Sequence, residues 1–288
     1  MVRLAIDYVP LDALAPADDL LGAVVFGARH PLASLDLPGM RQLGPQPLAE
    51  VWCGEGIHFG TWASDDEDVE RASRTAYDEI LRTIGERGYP HLLRAWNHVR
   101  DLNHGTADEE RYRRFCAGRH DAFNAAGWTN RMLPAASGVG MREGSLSVYY
   151  VAGREPGRHV ENPRQVSAYD YPRQYGRRSP SFARATAIDD LVFISGTASV
   201  VGHETLHAGD VEAQVDETLI NLDAVLRAAG TRGVESLQLV KTYVRRAEDY
   251  PRIAARITSA LPGAKALFVE SDICRADLLV EVDGVARM

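Results

Sequence analysis

The chain is poor in cysteine and almost devoid of lysine. Its three cysteines, Cys53, Cys116 and Cys274, lie far apart and form no CxxC. An odd, scattered set argues against a disulfide framework and against a cysteine-rich structural zinc site. Lysine occurs only at Lys241 and Lys265, although lysine and arginine together number 32. Any anion site must therefore use arginine, whose planar fork meets carboxylates in a bidentate manner. No apolar run approaches the roughly 20 residues that span a bilayer. The opening MVRLAIDYVPLDAL lacks the basic-then-apolar order of a signal peptide. There is no P-loop, GxGxxG fingerprint or GxSxG elbow. A net charge of -8 argues against nucleic acid held by bulk electrostatics. The expectation is a soluble cytoplasmic protein, with no membrane or nucleic-acid partner.

What is present is an ordinary globular balance. The 288 residues are 45% hydrophobic and 25% charged, enough for one large domain or two smaller ones. Residues 1 to about 65 alternate short apolar runs with Pro and Gly, as in LGAVVFGARH and PLAEVWCG, and predict strands and loops. DDEDVERASRTAYDEILRTIGERGY has acids in its first turn and Val69, Ala72, Ala76, Ile80 and Ile84 at helical spacing. A strand, HLLRAWNHVRDLN, a second helix, EERYRRFCAGRHDAFNAAG, and a strand, SLSVYYVAG, follow. From FARATAI onward the predicted order is β-β-α-β-α-β-β. Asp189-Asp190 forms a hairpin turn, Asp210 an N-cap, Gly230 a C-terminal stop and Pro251 a first-turn residue. The first half repeats this order more loosely. The chain is thus α+β, with two related halves of mixed sheet and helices on one face.

Four stretches are candidates for chemistry. HETLH (203–207) has the letters of a helical zinc-protease signature, but it lies between a strand and the next helix start, with room for little more than one turn. The segment EPGRHVENPRQVSAYDYPRQYGRRSPSF (155–182) has no helical or strand period. Segments of this length are either disordered or functional, and Tyr169, Tyr171 and Tyr175 favour an ordered cover. Its Arg164, Arg173, Arg177 and Arg178, with Arg184 just beyond, suit a small dianion. Ser195-Gly196-Thr197-Ala198-Ser199 ends a strand with small residues that admit a close ligand. In the closing DLLVEVDGVA, period two sorts Leu278, Val280, Val282 and Ala286 to a core face, and Leu279, Glu281, Asp283 and Val285 to the other. By pattern alone Glu281 is a solvated acid and Cys274 a small buried hydrophobe.

ENPRQVSAYDYPRQYGRRSPSFARA, LVFISGTASVVGHETLHAGD, VKTYVR and DICRADLLVEV together resemble the chorismatase family. LLRAWNHVRDLN, ERYRRFCAGRHDAF and LPAASGVG extend the resemblance to roughly residues 90 to 288. It implies a RidA-like (YjgF-like) fold, with a degenerate N-terminal domain over 1–154 and a catalytic domain over 155–288. It also implies release of pyruvate from the enolpyruvyl ether of chorismate, with no metal or organic cofactor. The second product implied is 3-hydroxybenzoate. Hydrolysis to a dihydroxycyclohexadiene carboxylate and mixed 3-/4-hydroxybenzoate formation are the alternatives. Glu281 matches the family's acid, and Cys274, seven positions earlier, its product-selecting residue. Ala198 falls at a small residue that varies between subgroups. Arg173, Arg184, Arg245, Tyr171, Tyr175, Gly196 and Ala198 are the expected substrate contacts, with Tyr243 and Arg245 sharing a strand face. A plain RidA-type imine deaminase, using Arg275 to hold a carboxylate, and a non-catalytic binding module are the rivals. The expected assembly is a monomer or a RidA-like trimer.

Overall fold

The computed structural model describes residues 56–142 and 144–288, with the backbone of short strands at 5–6, 24–26, 35–36, 41–46 and 49–53. Apart from those strands, the expectations for the opening MVRLAIDYVPLDAL, for most of residues 1 to about 65 and for Cys53 lie outside the described residues. The first half comprises β1 (Ala5–Ile6), β2 (Val24–Phe26), β3 (Leu35–Asp36), β4 (Arg41–Gln46), β5 (Ala49–Cys53), β6 (Ile57–Ser64), α1 (Val69–Glu86), β7 (His91–Arg100), α2 (Arg111–Ala125), β8 (Ala135–Met141) and β9 (Leu146–Gly153). The second comprises β10 (Arg158–Val160), β11 (Ala185–Ile188), β12 (Leu191–Ala198), β13 (Val200–Val201), β14 (Glu204–Thr205), α3 (Val211–Ala228), β15 (Leu237–Val244), α4 (Tyr250–Ala260), β16 (Lys265–Glu270) and β17 (Val280–Arg287).

The helices form where caps and apolar spacing place them. Asp68 caps α1 by accepting from the Arg71 N–H at 3.3 Å, and Val69, Ala72, Ala76, Ile80 and Ile84 are all buried. Asp210 caps α3 in the same way through the Ala213 N–H at 3.1 Å. In α2, a Cβ on Gly118 would lie 2.0 Å from the Glu70 carbonyl oxygen. The absent side chain is what lets α1 and α2 pack in contact.

The strand orders are β4-β5-β6-β9-β7-β8 and β10-β11-β12-β17-β15-β16-β2. Aligning β5-β6-β9-β7-β8 with β11-β12-β17-β15-β16 reproduces the same order in both halves. In each, the last pair is parallel and its neighbours antiparallel. β8 was not legible as a strand. Its AASGVGM has almost none of the β-branched and aromatic residues that mark one. Two of its backbone N–H groups instead donate across to the other half, Ala135 to Thr186 Oγ1 at 2.9 Å and Ala136 to Ser195 Oγ at 2.8 Å.

Each sheet buries one face beneath its own helices. The α1/α2 side packs Trp62, Leu92, Val99 and Val148, and the α3/α4 side packs Val192, Ile194, Val280, Val282 and Ala286. The two remaining faces meet each other, with Phe59, Leu93, Tyr149 and Val151 against Phe193 and Val285. The layers are helix, sheet, sheet, helix. This overturns the solvated face expected for β17, because a period of two cannot report a second sheet on the far side. Glu281 is only 4% exposed and Asp283 3%. The strand also starts at Val280, so the expected sides of Leu278 and Leu279 are exchanged. Leu279 joins the helix-side core and Leu278 a cluster with Tyr243 and Ala198.

Candidate active site

Glu281 sits on β17, between β12 and β15, directly opposite Ala198 on one side and Tyr243 on the other. The β12–β17 register slips between Ile194 and Thr197, leaving Ser195 and Gly196 as an irregularity. The Glu281 carboxyl lies over that irregularity. A Cβ built on Gly196 would stand 2.0 Å from Glu281 Oε1 and 2.7 Å from its Cδ. The glycine is a spatial requirement of the carboxyl, not a feature of a turn.

Burial is the main influence on this acid. It raises the Glu281 carboxyl to about 8, and the neighbouring Asp283 pushes in the same direction, against opposing contributions from Arg94, Arg184 and Arg245. The Cys274 thiol, also pushed up by burial and then by Glu281, donates to Glu281 Oε2 at 3.9 Å. It makes the one hydrogen bond to the Glu281 carboxyl found among the described residues.

The Glu281 carboxyl opens into a cavity of about 370 Å³, also lined by Cys274, Gly196, Ala198, Arg184, Tyr171, Tyr175 and Arg275. Of its arginines, Arg113 is neutralised by Glu110 at 2.8 Å. Arg184 and Arg275 make no ion pair with a carboxylate among the described residues. Arg184 donates to Val166 O and to Tyr171 Oη, both at 2.9 Å, and its buried Nε has no partner among the described residues. Arg275 donates to His203 O at 2.8 Å and lies over the Tyr175 ring at 4.2 Å and the Tyr171 ring at 5.2 Å. Two guanidinium groups without acid partners around one cavity are fitted to a ligand with two carboxylates.

A smaller chamber of about 30 Å³ lies against the same Glu281, Cys274 and Gly196. Its far wall comes from the first half through Tyr112, Arg119, Ser137 and Gly138. Sequence reasoning missed this wall. Its signal lay in the small residues of LPAASGVG and in an arginine placed among the apolar positions of α2.

Two expected substrate contacts stand elsewhere. Arg173 does not line the cavity; its exposed guanidinium makes a bidentate pair with Asp108 at 3.0 and 2.5 Å. Arg177 pairs with Glu70, and Arg178 with Asp121 at 3.5 Å. These three are fasteners that hold residues 155–182 against the first half. Arg164 likewise serves the fold, pairing with Glu217 at 2.6 Å. Arg245 lies beyond the end of β15 and does not line the cavity; Tyr243 does not line it either, its hydroxyl being taken up by Asp283. The Arg245 guanidinium donates to the carbonyls of Leu278 at 2.6 Å, Ile273 at 2.8 Å and Arg275 at 2.9 Å, and pairs with Asp272 at 2.9 Å. It pins the loop that carries Cys274 and Arg275. HETLH contains β14, the second strand of the β13–β14 hairpin, so His203 and His207 do not share a helix face. His203 O accepts from Tyr175 Oη at 2.6 Å, and His207 Nε2 lies 3.8 Å from Glu217.

Comparisons with known proteins find relatives over most of the chain. The family described as "Chorismatase FkbO/Hyg5-like, N-terminal" matches residues 44–152, and "Endoribonuclease L-PSP" matches residues 177–288. A 3-hydroxybenzoate synthase of Streptomyces hygroscopicus is 38% identical, with 83% of this chain and 82% of that protein covered. A chorismatase of Streptomyces rapamycinicus is 40% identical with the same coverage of both. A chorismatase crystal structure superposes with a TM-score of 0.79 at 33% identity, covering 85% of this chain and 80% of that one. Identity at this level over most of both chains, with one fold throughout, makes this chain a member of the chorismatase family.

Proposed function

We propose that this chain cleaves the enolpyruvyl ether of chorismate to pyruvate and 3-hydroxybenzoate, with Glu281 as the acid. The observation that carries the assignment is the buried Glu281 carboxyl, raised to about 8 and turned into a cavity flanked by Arg184 and Arg275. Chorismate has two carboxylates and an enol ether. Arg184 and Arg275 are the groups left to receive the carboxylates. Cleavage starts by protonating the methylene carbon, which an ordinary carboxylate cannot do at neutral pH but a carboxylic acid kept neutral by burial can.

Proton transfer from Glu281 turns the methylene into a methyl group and leaves an oxocarbenium centre. The ring hydroxyl then displaces the ether oxygen, whose bonding electrons complete the carbonyl of pyruvate. The resulting arene-oxide-like ring opens and loses its C–H proton. Of the hydroxyl and C–H protons released, one ends on the phenol and one restores Glu281. No water is consumed, so the route depends on keeping water from the ring. Cys274 supports this reading, because it stands beside Glu281 at the wall between the main cavity and the smaller chamber. A second outcome, hydrolysis, is favoured by one feature. The chamber's volume of about 30 Å³ exceeds the ~10–15 Å³ that one water needs.

Incubation with chorismate tests the assignment, with pyruvate followed by coupled lactate dehydrogenase and the ring product identified by chromatography. Pyruvate and 3-hydroxybenzoate in equal amounts are expected. Absence of pyruvate above the uncatalysed rate overturns the activity, and a dihydroxycyclohexadiene carboxylate in place of the phenol overturns the product.

A further inference from the structure

Glu281 and Asp283 stand two residues apart on β17 and so project from the same face of the strand. Both are buried, and two neighbouring carboxyl groups in a low-dielectric site do not both ionise freely. The donors around them are divided very unequally. Asp283 Oδ2 accepts from Arg94 Nη2 at 2.9 Å, Ser137 Oγ at 2.7 Å and Tyr243 Oη at 2.8 Å. Among the described residues, the Glu281 carboxyl accepts only from the Cys274 thiol, at 3.9 Å. Two of the three donors on Asp283, Arg94 and Ser137, come from the sheet of the first half, on β7 and β8. The Arg94 side chain is 1% exposed, and its Nη2 also donates to Ser137 Oγ at 2.5 Å, so the cluster is closed on itself.

We propose that Asp283, held by Arg94 and Ser137 across the junction of the two sheets, is the positioning residue that keeps the proton on Glu281, so that the first half enters the chemistry through a buried ion pair. The inference rests on Glu281 being the acid. The negative charge goes to the carboxyl that has a guanidinium and two hydroxyls, and the proton goes to the one that has none. Other charged or titratable groups also face Glu281 or border its site. Tyr243, and Lys241 farther along the same strand, come from β15. Cys274, Arg275 and Arg245 come from the 272–279 loop and its support, Arg184 precedes β11, and Tyr112 and Arg119 come from α2. None of them shares a strand face with Glu281 and also carries three donors, as Asp283 does.

The test is kcat/KM against pH for pyruvate release, which reports the titration of the unliganded enzyme. Wild type works with Glu281 protonated, so activity falls as pH rises through its value of about 8. Asp283→Asn removes the neighbouring negative charge, and the alkaline limb should move down by about one pH unit or more. Ser137→Ala and Tyr243→Phe each take one hydroxyl from Asp283 and leave its charge, so the limb should move up. These two milder variants keep the test decisive if Asp283→Asn does not fold. Uniform loss of kcat/KM with every limb at the wild-type position overturns the inference, because a merely structural cluster has that effect. Failure of the underlying assignment looks different: there, Glu281→Gln retains full activity.

Discussion

Replacing Gly196 by alanine is the sharpest probe of the site. The new Cβ would stand 2.0 Å from Glu281 Oε1, whereas real contacts of this kind are not found under 3.0 Å, so the oxygen must retreat by about 1 Å or more. Backbone movement cannot supply that shift cheaply, since β12 and β17 are paired on both sides of the irregularity. The carboxyl instead swings into the adjoining cavity. A displacement of this size at a group that must reach one carbon of the substrate costs about 10²-fold in rate, equivalent to about 2.7 kcal/mol of barrier. Because the cavity receives the displaced carboxyl, stability should change by no more than about 1 kcal/mol, a few degrees in Tm. The assay is coupled pyruvate release across chorismate concentrations, with thermal unfolding on the same samples. The expected result is a large fall in kcat with a small change in Tm. A variant with kcat within about threefold of wild type would refute the claim that Gly196 exists to seat the carboxyl.

Other outcomes follow from the same geometry. Glu281→Gln should abolish pyruvate release while chorismate binding, followed by calorimetry, is retained; a fully active variant ends the proposed role. Because the folded-state value of about 8 lies above the unbound carboxyl's 4.5, the folded protein holds an extra proton between those values. Its stability therefore declines as pH rises across that window. Glu281→Gln lacks this penalty, so its Tm advantage over wild type should be greater at about pH 9 than at about pH 5. Cys274→Ala should open the cavity wall to the smaller chamber and raise the fraction of dihydroxycyclohexadiene carboxylate; an unchanged product ratio in chromatography contradicts that. Arg275→Ala should raise KM by tenfold or more, on the order of a lost charge-assisted carboxylate contact. Arg173→Ala should leave KM near wild type, and the reverse ranking would place the substrate on the fasteners.

Much of the local structure was legible in the residues. The N-cap at Asp210, the helical spacing of Val69 to Ile84, and the apolar strand LVFISGTA depend on neighbours in the chain, and they form as their patterns require. Pattern did not give membership of the C-terminal site: Glu281 and Cys274 entered through the family resemblance, and the fold brings them to one cavity with Gly196, Ala198 and Arg184. Arg173 and Arg245 show the limit. Their residue type and spacing suit a carboxylate ligand, but Asp108 and the 272–279 loop, distant in sequence, take up their guanidinium groups.

By itself the sequence determined which residues could form helices and strands, because capping and periodicity are local. It also supplied the chemical inventory of the site: an acid, a thiol, and arginine in place of lysine. Only the tertiary structure decided that the outer face of β17 is not wet, because burial there comes from a sheet more than a hundred residues away in the chain. That one fact changes Glu281 from a surface carboxylate to a buried carboxyl, the state that the proposed proton-donor role requires. The contact across the two sheets, with Arg94 against Asp283, excludes water from both acids and gives only one of them the donors that stabilise a charge.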